Sequence, residues 1–290
     1  MRSKLFVPGV RPELFAKALK SDADGLSLDL EDSVPEDAKA VAREHVAAFL
    51  RSAELRDSGK CAVVRVNPLH SPHFARDMAS LACPGVHWIN LPKAESVEDV
   101  LLAVEALESA EVANGVDAPI RLLVNIETPK GLRLSASIAA AHPRVVGLQL
   151  GLADLFAPFG IDRGNRENVH AAMQAMRMSA AEAGVLACDA AFIDVQDQAG
   201  FIAEARMARG LGYAGKSCVH PRQIALANEV FSATVAEVDA ARRIVQAAAL
   251  AASRGHGAFL VDGHMVDLPL LDRARAVLAR ANTQTERSAR

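Results

Sequence analysis

The chain has 290 residues, 51% of them hydrophobic, which allows one large domain or two ordinary ones around a deep core and excludes disorder over most of its length. A net charge of −3, with one Trp, one Tyr and ten Phe, leaves neither a basic stripe for a phosphate backbone nor an aromatic platform for bases, so no nucleic-acid partner is expected. The four cysteines, Cys61, Cys83, Cys188 and Cys218, lack C-x-x-C spacing and lie among apolar residues, as reduced, packed thiols of a cytoplasmic protein do.

The first apolar run, "LFVPGV", is short and broken by Pro8 and Gly9, so no signal peptide is expected. Eight short apolar runs then follow in order: "KLFVP", "GLSLD", "CAVVRV", "HWINL", "IRLLVNI", "VVGLQL", "VLAC" and "YAGKSCV". Helical patterns lie between them, over residues 12–20, 35–50, 71–81, 96–110, 131–141, 165–183, 195–211 and 221–231, several with Pro in the first turn or Ser, Asp or Asn just before it. Continuous apolar strands alternating with helices predict an α/β fold with a covered parallel sheet. No G-x-G-x-x-G follows the first strand, and roughly 250 residues is the usual size of a TIM (β/α)8 barrel, which we expect over residues 1–232. Residues 233–290 are expected as a C-terminal helical extension: an Ala-rich helix over 235–253, the turn-rich "RGHGAFLVDGHMVDLP", a helix over 270–281 and a frayed, polar "TQTERSAR". The stretch "VQAAALAAS" falls short of the roughly 20 apolar residues a bilayer span needs, so no membrane partner is expected.

Barrels carry their chemistry where strands end. The second strand ends in "LDLEDS" with Asp29, Glu31 and Asp32, the third in Arg65 and Asn67, the fourth in Lys93, the fifth in Glu127, and the sixth runs on to Asp154. Glu127 poses the sharpest question, because a carboxylate at the edge of an apolar run must be solvated, paired or metal-bound. With Asp154 from the adjacent strand it makes a hard oxygen pair suited to Mg²⁺ or Mn²⁺. A glycosidase-like acid/base pair and a carboxylate satisfied by Arg65 alone remain as alternatives, the former poorly served by so few aromatics. "HSPH", with His70 and His73, has no third ligand at a recognisable spacing. Lys216 and His220 follow the last strand, where barrels often bind phosphate.

The segments "RSKLFVPGVRPELFAKAL", "LDLEDSVP", "RVNPL", "NIETPKGL", "LGLADL", "GYAGKSCVHPRQI" and "VDGHMVDLP" together resemble, over nearly the whole chain, the HpcH/HpaI aldolase and citrate lyase beta-subunit-like (CitE-like) family. The resemblance implies a carbon–carbon lyase that cleaves or forms a 3-hydroxyacyl thioester, such as citryl-CoA or malyl-CoA, giving a 2-oxo acid and an acyl thioester. It implies Glu127 and Asp154 as Mg²⁺ ligands, Arg65 as the cation that steadies the enolate, and Glu31 and Asp32 as the acids that hold metal-bound water and orient Arg65. Arg11 and Lys17 are implied to reach the phosphates of coenzyme A, although alone they read as solvated helix charges. Asp267 alone reads as a helix N-cap, whereas the resemblance makes it the acid/base of a lid closing over a neighbouring subunit in a homo-oligomer, a trimer or a multiple of one. His73 replaces an aromatic residue of many relatives at the pocket wall, and "FSAT" replaces a Pro-containing turn. Two other readings stay open: a class II pyruvate aldolase acting on free hydroxy-oxo acids, and a noncatalytic subunit of a lyase assembly.

Overall fold

The computed structural model describes residues 1–253 and 257–288. They fall into two compact units, Met1–Phe231 and Ser232–Arg290. In the first, eight parallel strands close into a barrel in sequence order, with β8 returning to β1. The strands are β1 (Ser3–Pro8), β2 (Gly25–Asp29), β3 (Cys61–Arg65), β4 (Trp88–Leu91), β5 (Arg121–Ile126), β6 (Val145–Leu150), β7 (Leu186–Asp189) and β8 (Gly215–Cys218).

Alternation along each strand sorts the side chains onto two faces. Leu26, Leu28, Val64, Ile89, Leu122, Val124 and Leu148 join the apolar core with residues of the surrounding helices. The opposite parity points into the barrel and is largely polar, with Lys4, Ser27, Asp29, Arg65, Asn90, Asn125, Gln149 and Ser217. Register then makes neighbours of residues far apart in sequence: Asp29 stands beside Arg65, Arg65 beside Asn90, and Asn125 beside Gln149.

Most expected helices form, with instructive breaks. The segment expected at 12–20 is a 3₁₀ turn, Pro12–Leu14, followed by one helical turn, Phe15–Leu19. The segment expected at 131–141 starts at Pro129, after a Thr128 cap, and splits into Pro129–Arg133 and Ser135–Ala139. Two expectations need correction. Strand six does not run on to Asp154, because β6 ends at Leu150 and Asp154 sits in the first turn of a short helix, Leu152–Phe156. Lys216 does not follow the last strand but lies within β8.

The second unit holds a helix, Val235–Ala252, begun by a capping box between Thr234 and Glu237, so the "FSAT" segment ends in a cap instead of a Pro turn. Strands β9 (Phe259–Val261) and β10 (His264–Val266) form a hairpin whose turn residues, Asp262 and Gly263, have φ of 50° and 81°, as a type I′ turn requires. The last helix, Leu268–Ser288, extends well beyond its expected end and includes most of "TQTERSAR". The start of the turn-rich stretch, residues 254–256, and the last two residues lie outside the described residues. Among the described residues no helix is long and apolar enough to cross a membrane.

Candidate active site

A cavity of about 390 Å³ opens where the barrel strands end, lined among others by Phe6, Asp29, Asp32, Arg65, Asn125, Glu127, Gln149 and Asp154. Arg65, the last residue of β3, is its organising cation. Nε and Nη2 donate in a fork to Asp29 Oδ1 and Oδ2 at 2.6 and 2.7 Å, because the strand register sets the two residues side by side. Nη1 donates to Asp32 Oδ2 at 3.0 Å and lies 3.0 Å from Glu31 Oε2, the latter an ion pair too poorly aligned to be a hydrogen bond. The guanidinium also rests 5.0 Å from the centroid of the Phe6 ring. Burial opposes the charge on Arg65, but Asp29, Glu31 and Asp32 outweigh it and raise its pKa. Burial likewise presses Asp29 toward the neutral acid, yet the Arg65 fork and a bond from Ser33 hold its carboxyl below the usual range.

Glu127 follows β5 directly and is 2% exposed. Its Oε1 accepts from Lys93 N at 2.8 Å and its Oε2 from Asn125 Nδ2 at 3.3 Å. A chain of amides fixes that second donor: Asn90 Nδ2 gives to Asn125 Oδ1 at 2.6 Å, which leaves Asn125 Nδ2 for the carboxylate. Gly151 completes the niche, because a Cβ there would collide with the Glu127 side chain. Lys93 is held at φ 53°, a left-handed conformation that strains any residue but glycine. There its N–H meets Glu127 and its Nζ meets Glu31 Oε1 at 2.8 Å, so one residue spans two carboxylates.

Among the described residues Glu127 has no ion-pair partner. Burial, then the charges of Glu31 and Asp154, push its pKa up to about 8. Burial also leaves Glu31 above its usual range despite Arg65 and Lys93. Asp154 is partly exposed and lines the same cavity. The site is therefore an all-oxygen donor set with more negative charge than its own cations balance, which is what a hard divalent cation fits. No group of three His, Cys, Asp or Glu side chains forms a metal cage among the described residues. A cation held by Glu127 and Asp154 would thus complete its shell with water and substrate oxygens, the habit of Mg²⁺.

The structure brings together Glu31, Asp32, Arg65, Lys93, Glu127 and Asp154. It does not bring Arg11 or Lys17 to the cavity wall. Arg11 and Lys17 are exposed, and Arg11 pairs with Glu13. Asp267 belongs to the second unit, where its Oδ1 accepts from Leu270 N at 3.5 Å, a loose cap on the last helix. His73 does not form the pocket wall; its Nε2 lies 2.6 Å from Glu36 Oε1. His70 is exposed and 3.9 Å from Asp99. Lys216 does not face a phosphate site, being fully buried against Asp189 and Glu204 at 2.6 and 2.8 Å. His220 Nδ1 accepts from Arg222 N at 3.1 Å, a local turn. Sequence reasoning missed Asp29 as the main partner of Arg65, along with the amide chain under Glu127. The signal for the latter was a polar residue in the middle of each of two apolar runs, Asn90 and Asn125.

Residues 2–221 match the model of the HpcH/HpaI aldolase/citrate lyase family. The citrate lyase subunit beta of Escherichia coli K12 is 36% identical over 282 residues, covering 97% of this chain and 93% of that protein. An L-malyl-CoA/beta-methylmalyl-CoA lyase of Cereibacter sphaeroides is 36% identical over 302 residues, covering 97% and 94%. The crystal structure of the protein CitE from Mycobacterium tuberculosis, in complex with magnesium, acetoacetate and coenzyme A, aligns with a TM-score of 0.75 at 34% identity, covering 97% of this chain and all of that one.

Proposed function

The chain belongs to the HpcH/HpaI aldolase/citrate lyase family, and from that membership we propose that it is a Mg²⁺-dependent carbon–carbon lyase. Its substrate is a 3-hydroxyacyl thioester of the citryl-CoA or malyl-CoA kind, cleaved to, or formed from, a 2-oxo acid and an acyl thioester. The observation that carries the reading is Glu127: a buried carboxylate without an ion-pair partner among the described residues, crowded by Glu31 and Asp154 at the wall of the cavity that Arg65 lines.

Glu127 and Asp154 would hold the cation, and when bound Mg²⁺ would act as a Lewis acid toward the substrate hydroxyl and its neighbouring carboxylate. The protein's own groups do the rest. Cleavage of the C–C bond sends its electron pair toward the thioester carbonyl, whose oxygen gains charge. Arg65 meets that charge already oriented, since the Asp29 fork and Asp32 fix the guanidinium and leave the second Nη2 hydrogen uncommitted. Glu31 and Asp32 keep Arg65 and Lys93 in place and accept from water in the mouth of the site. A separate acid must protonate the acyl carbon, because Glu127 and Asp154 are engaged; Asp267 of a neighbouring subunit in a homo-oligomer takes that role, and Arg11 and Lys17 meet the coenzyme A phosphates. In support, both cations are solvent-facing.

Turnover of citryl-CoA and malyl-CoA with Mg²⁺, beside free hydroxy-oxo acids and a chelator control, tests the reading. Chelator-sensitive release of a 2-oxo acid from a thioester is expected. Cleavage confined to the free acids would reassign the protein as an aldolase. Mixing inactive Asp267→Ala and Glu127→Gln subunits should restore part of the activity if Asp267 acts across subunits, and full activity of Asp267→Ala alone would leave it only the cap.

A further inference from the structure

Beneath the carboxylate niche lies a second polar device that the mechanism above does not use. Lys4, on β1, is 2% exposed and points into the barrel. Its Nζ donates to Gln149 Oε1, and Ser217 Oγ, from β8, donates to the same oxygen at 3.4 Å. No carboxylate pairs with this ammonium among the described residues, although it also lies 5.0 Å from the centroid of Phe6. Burying an ammonium against a neutral amide is costly, and burial, with the nearby charge of Arg65, brings its pKa down to about 8.

The arrangement has a consequence for Gln149. A primary amide can turn either end toward a neighbour, but an ammonium only donates. Lys4 therefore holds Oε1 and leaves Nε2 as the free end of the amide. Among the described residues Nε2 meets no acceptor and is not one of the sealed, unpartnered atoms, while Gln149 is a wall residue of the 390 Å³ cavity. Asn125, its partner in strand register, bonds to Glu127, so Gln149 stands next to the carboxylate niche. An unpartnered amide donor on a residue of the cavity wall is complementary to an oxygen anion or carbonyl.

We infer that Gln149 is a specificity-determining residue that donates from Nε2 to an oxygen of the bound 2-oxo acid, and that Lys4 is the positioning residue that holds it there. This deepens the lyase reading and rests on it. A neutral donor suits this place, since it adds affinity for the acid's oxygen without attracting the carboxylates Glu127 and Asp29 out of their own bonds.

Calorimetric binding of pyruvate and of glyoxylate with Mg²⁺, beside binding of coenzyme A, tests the inference on four proteins: wild type, Gln149→Met, Lys4→Met and the double variant. Gln149→Met keeps side-chain volume and should weaken the 2-oxo acids by on the order of tenfold, the loss of one hydrogen bond to a charged acceptor, while coenzyme A binds as before. Lys4→Met should weaken the same acids by a smaller factor, with its folded stability unchanged or raised. In the double variant Lys4→Met should add nothing to Gln149→Met, because its effect travels through that amide. Additive losses would reduce Lys4 to a structural role and overturn its part of the inference. Gln149→Met that binds both acids as tightly as wild type would overturn the inference and leave the lyase reading standing. Wild type that binds neither the acids nor coenzyme A would overturn both.

Discussion

Two clusters of buried charge in the barrel unit follow opposite plans. At β7 and β8, Lys216 and Arg163 face Asp189 and Glu204: Lys216 Nζ reaches both acids, and Arg163 forks onto Glu204 at 2.7 and 2.9 Å. Two cations meet two anions, the Lys216 and Asp189 side chains are 0% exposed, and burial's pull on Lys216 is overcome by the two acids, which raise its pKa. At the ends of β2 to β6, Arg65 and Lys93 face Asp29, Glu31, Asp32, Glu127 and Asp154, two cations against five carboxylates around an open cavity. The first cluster is complete in itself and behaves as structure. The second is short of positive charge where a ligand can enter, and that deficit, more than the presence of charge, marks the site.

The largest expected effect breaks the open cluster. Glu127→Gln or Asp154→Asn removes one anionic oxygen at constant volume, and thioester cleavage at saturating Mg²⁺ should fall on the order of a thousandfold or more, with the far-ultraviolet circular dichroism unchanged. Wild-type turnover at limiting Mg²⁺ in either variant would remove that residue from the metal site. In the closed cluster, Lys216→Met should destabilise the protein by about 3–5 kcal/mol, because Asp189 and Glu204 lose their shared cation. Denaturant unfolding measures this, and a neutral result would mean the cluster is not held by charge balance.

Arg65→Lys probes the open cluster from its cation. An ammonium cannot fork onto Asp29 and still present a hydrogen to the cavity, so kcat should drop by on the order of 10- to 100-fold with a smaller change in KM. Unchanged kcat would place Arg65 outside the reaction. The smallest effect is in pH. Glu127 takes up its proton near 8 in the folded, metal-free chain against an ordinary 4.5, so the stability it contributes is complete below about 4.5 and is lost as the pH rises through about 8. Metal-free wild type should lose up to a few kcal/mol relative to Glu127→Gln between these limits. Thermal unfolding of both proteins across that range tests it, and parallel curves would mean Glu127 titrates normally.

The eight strands were legible because a covered parallel sheet needs apolar runs, and each run marked one strand. What stayed hidden has physical causes. "LGLADL" reads as one apolar run, so nothing in it announces that β6 stops at Leu150 and a helix begins at Leu152. The rim acids were visible as charges after apolar residues, but which of them takes Arg65 depends on register: Asp29 is opposite Arg65 in the sheet, while Glu31 and Asp32 lie beyond the strand. Lys4, Asn90, Asn125, Gln149 and Ser217 look like interruptions of their strands until the barrel closes and gives them a common interior. Arg11 and Lys17 were named by motif resemblance alone, and both stand exposed outside the cavity wall.

The proposed lyase depends on the uncompensated pair Glu127 and Asp154 to hold its cation. Calorimetric titration of Mg²⁺ into metal-free wild type, Glu127→Gln and the closed-cluster control Glu204→Gln isolates that dependence. Saturable binding is expected for wild type and Glu204→Gln and its loss for Glu127→Gln; undiminished Mg²⁺ binding by Glu127→Gln would overturn the metal assignment.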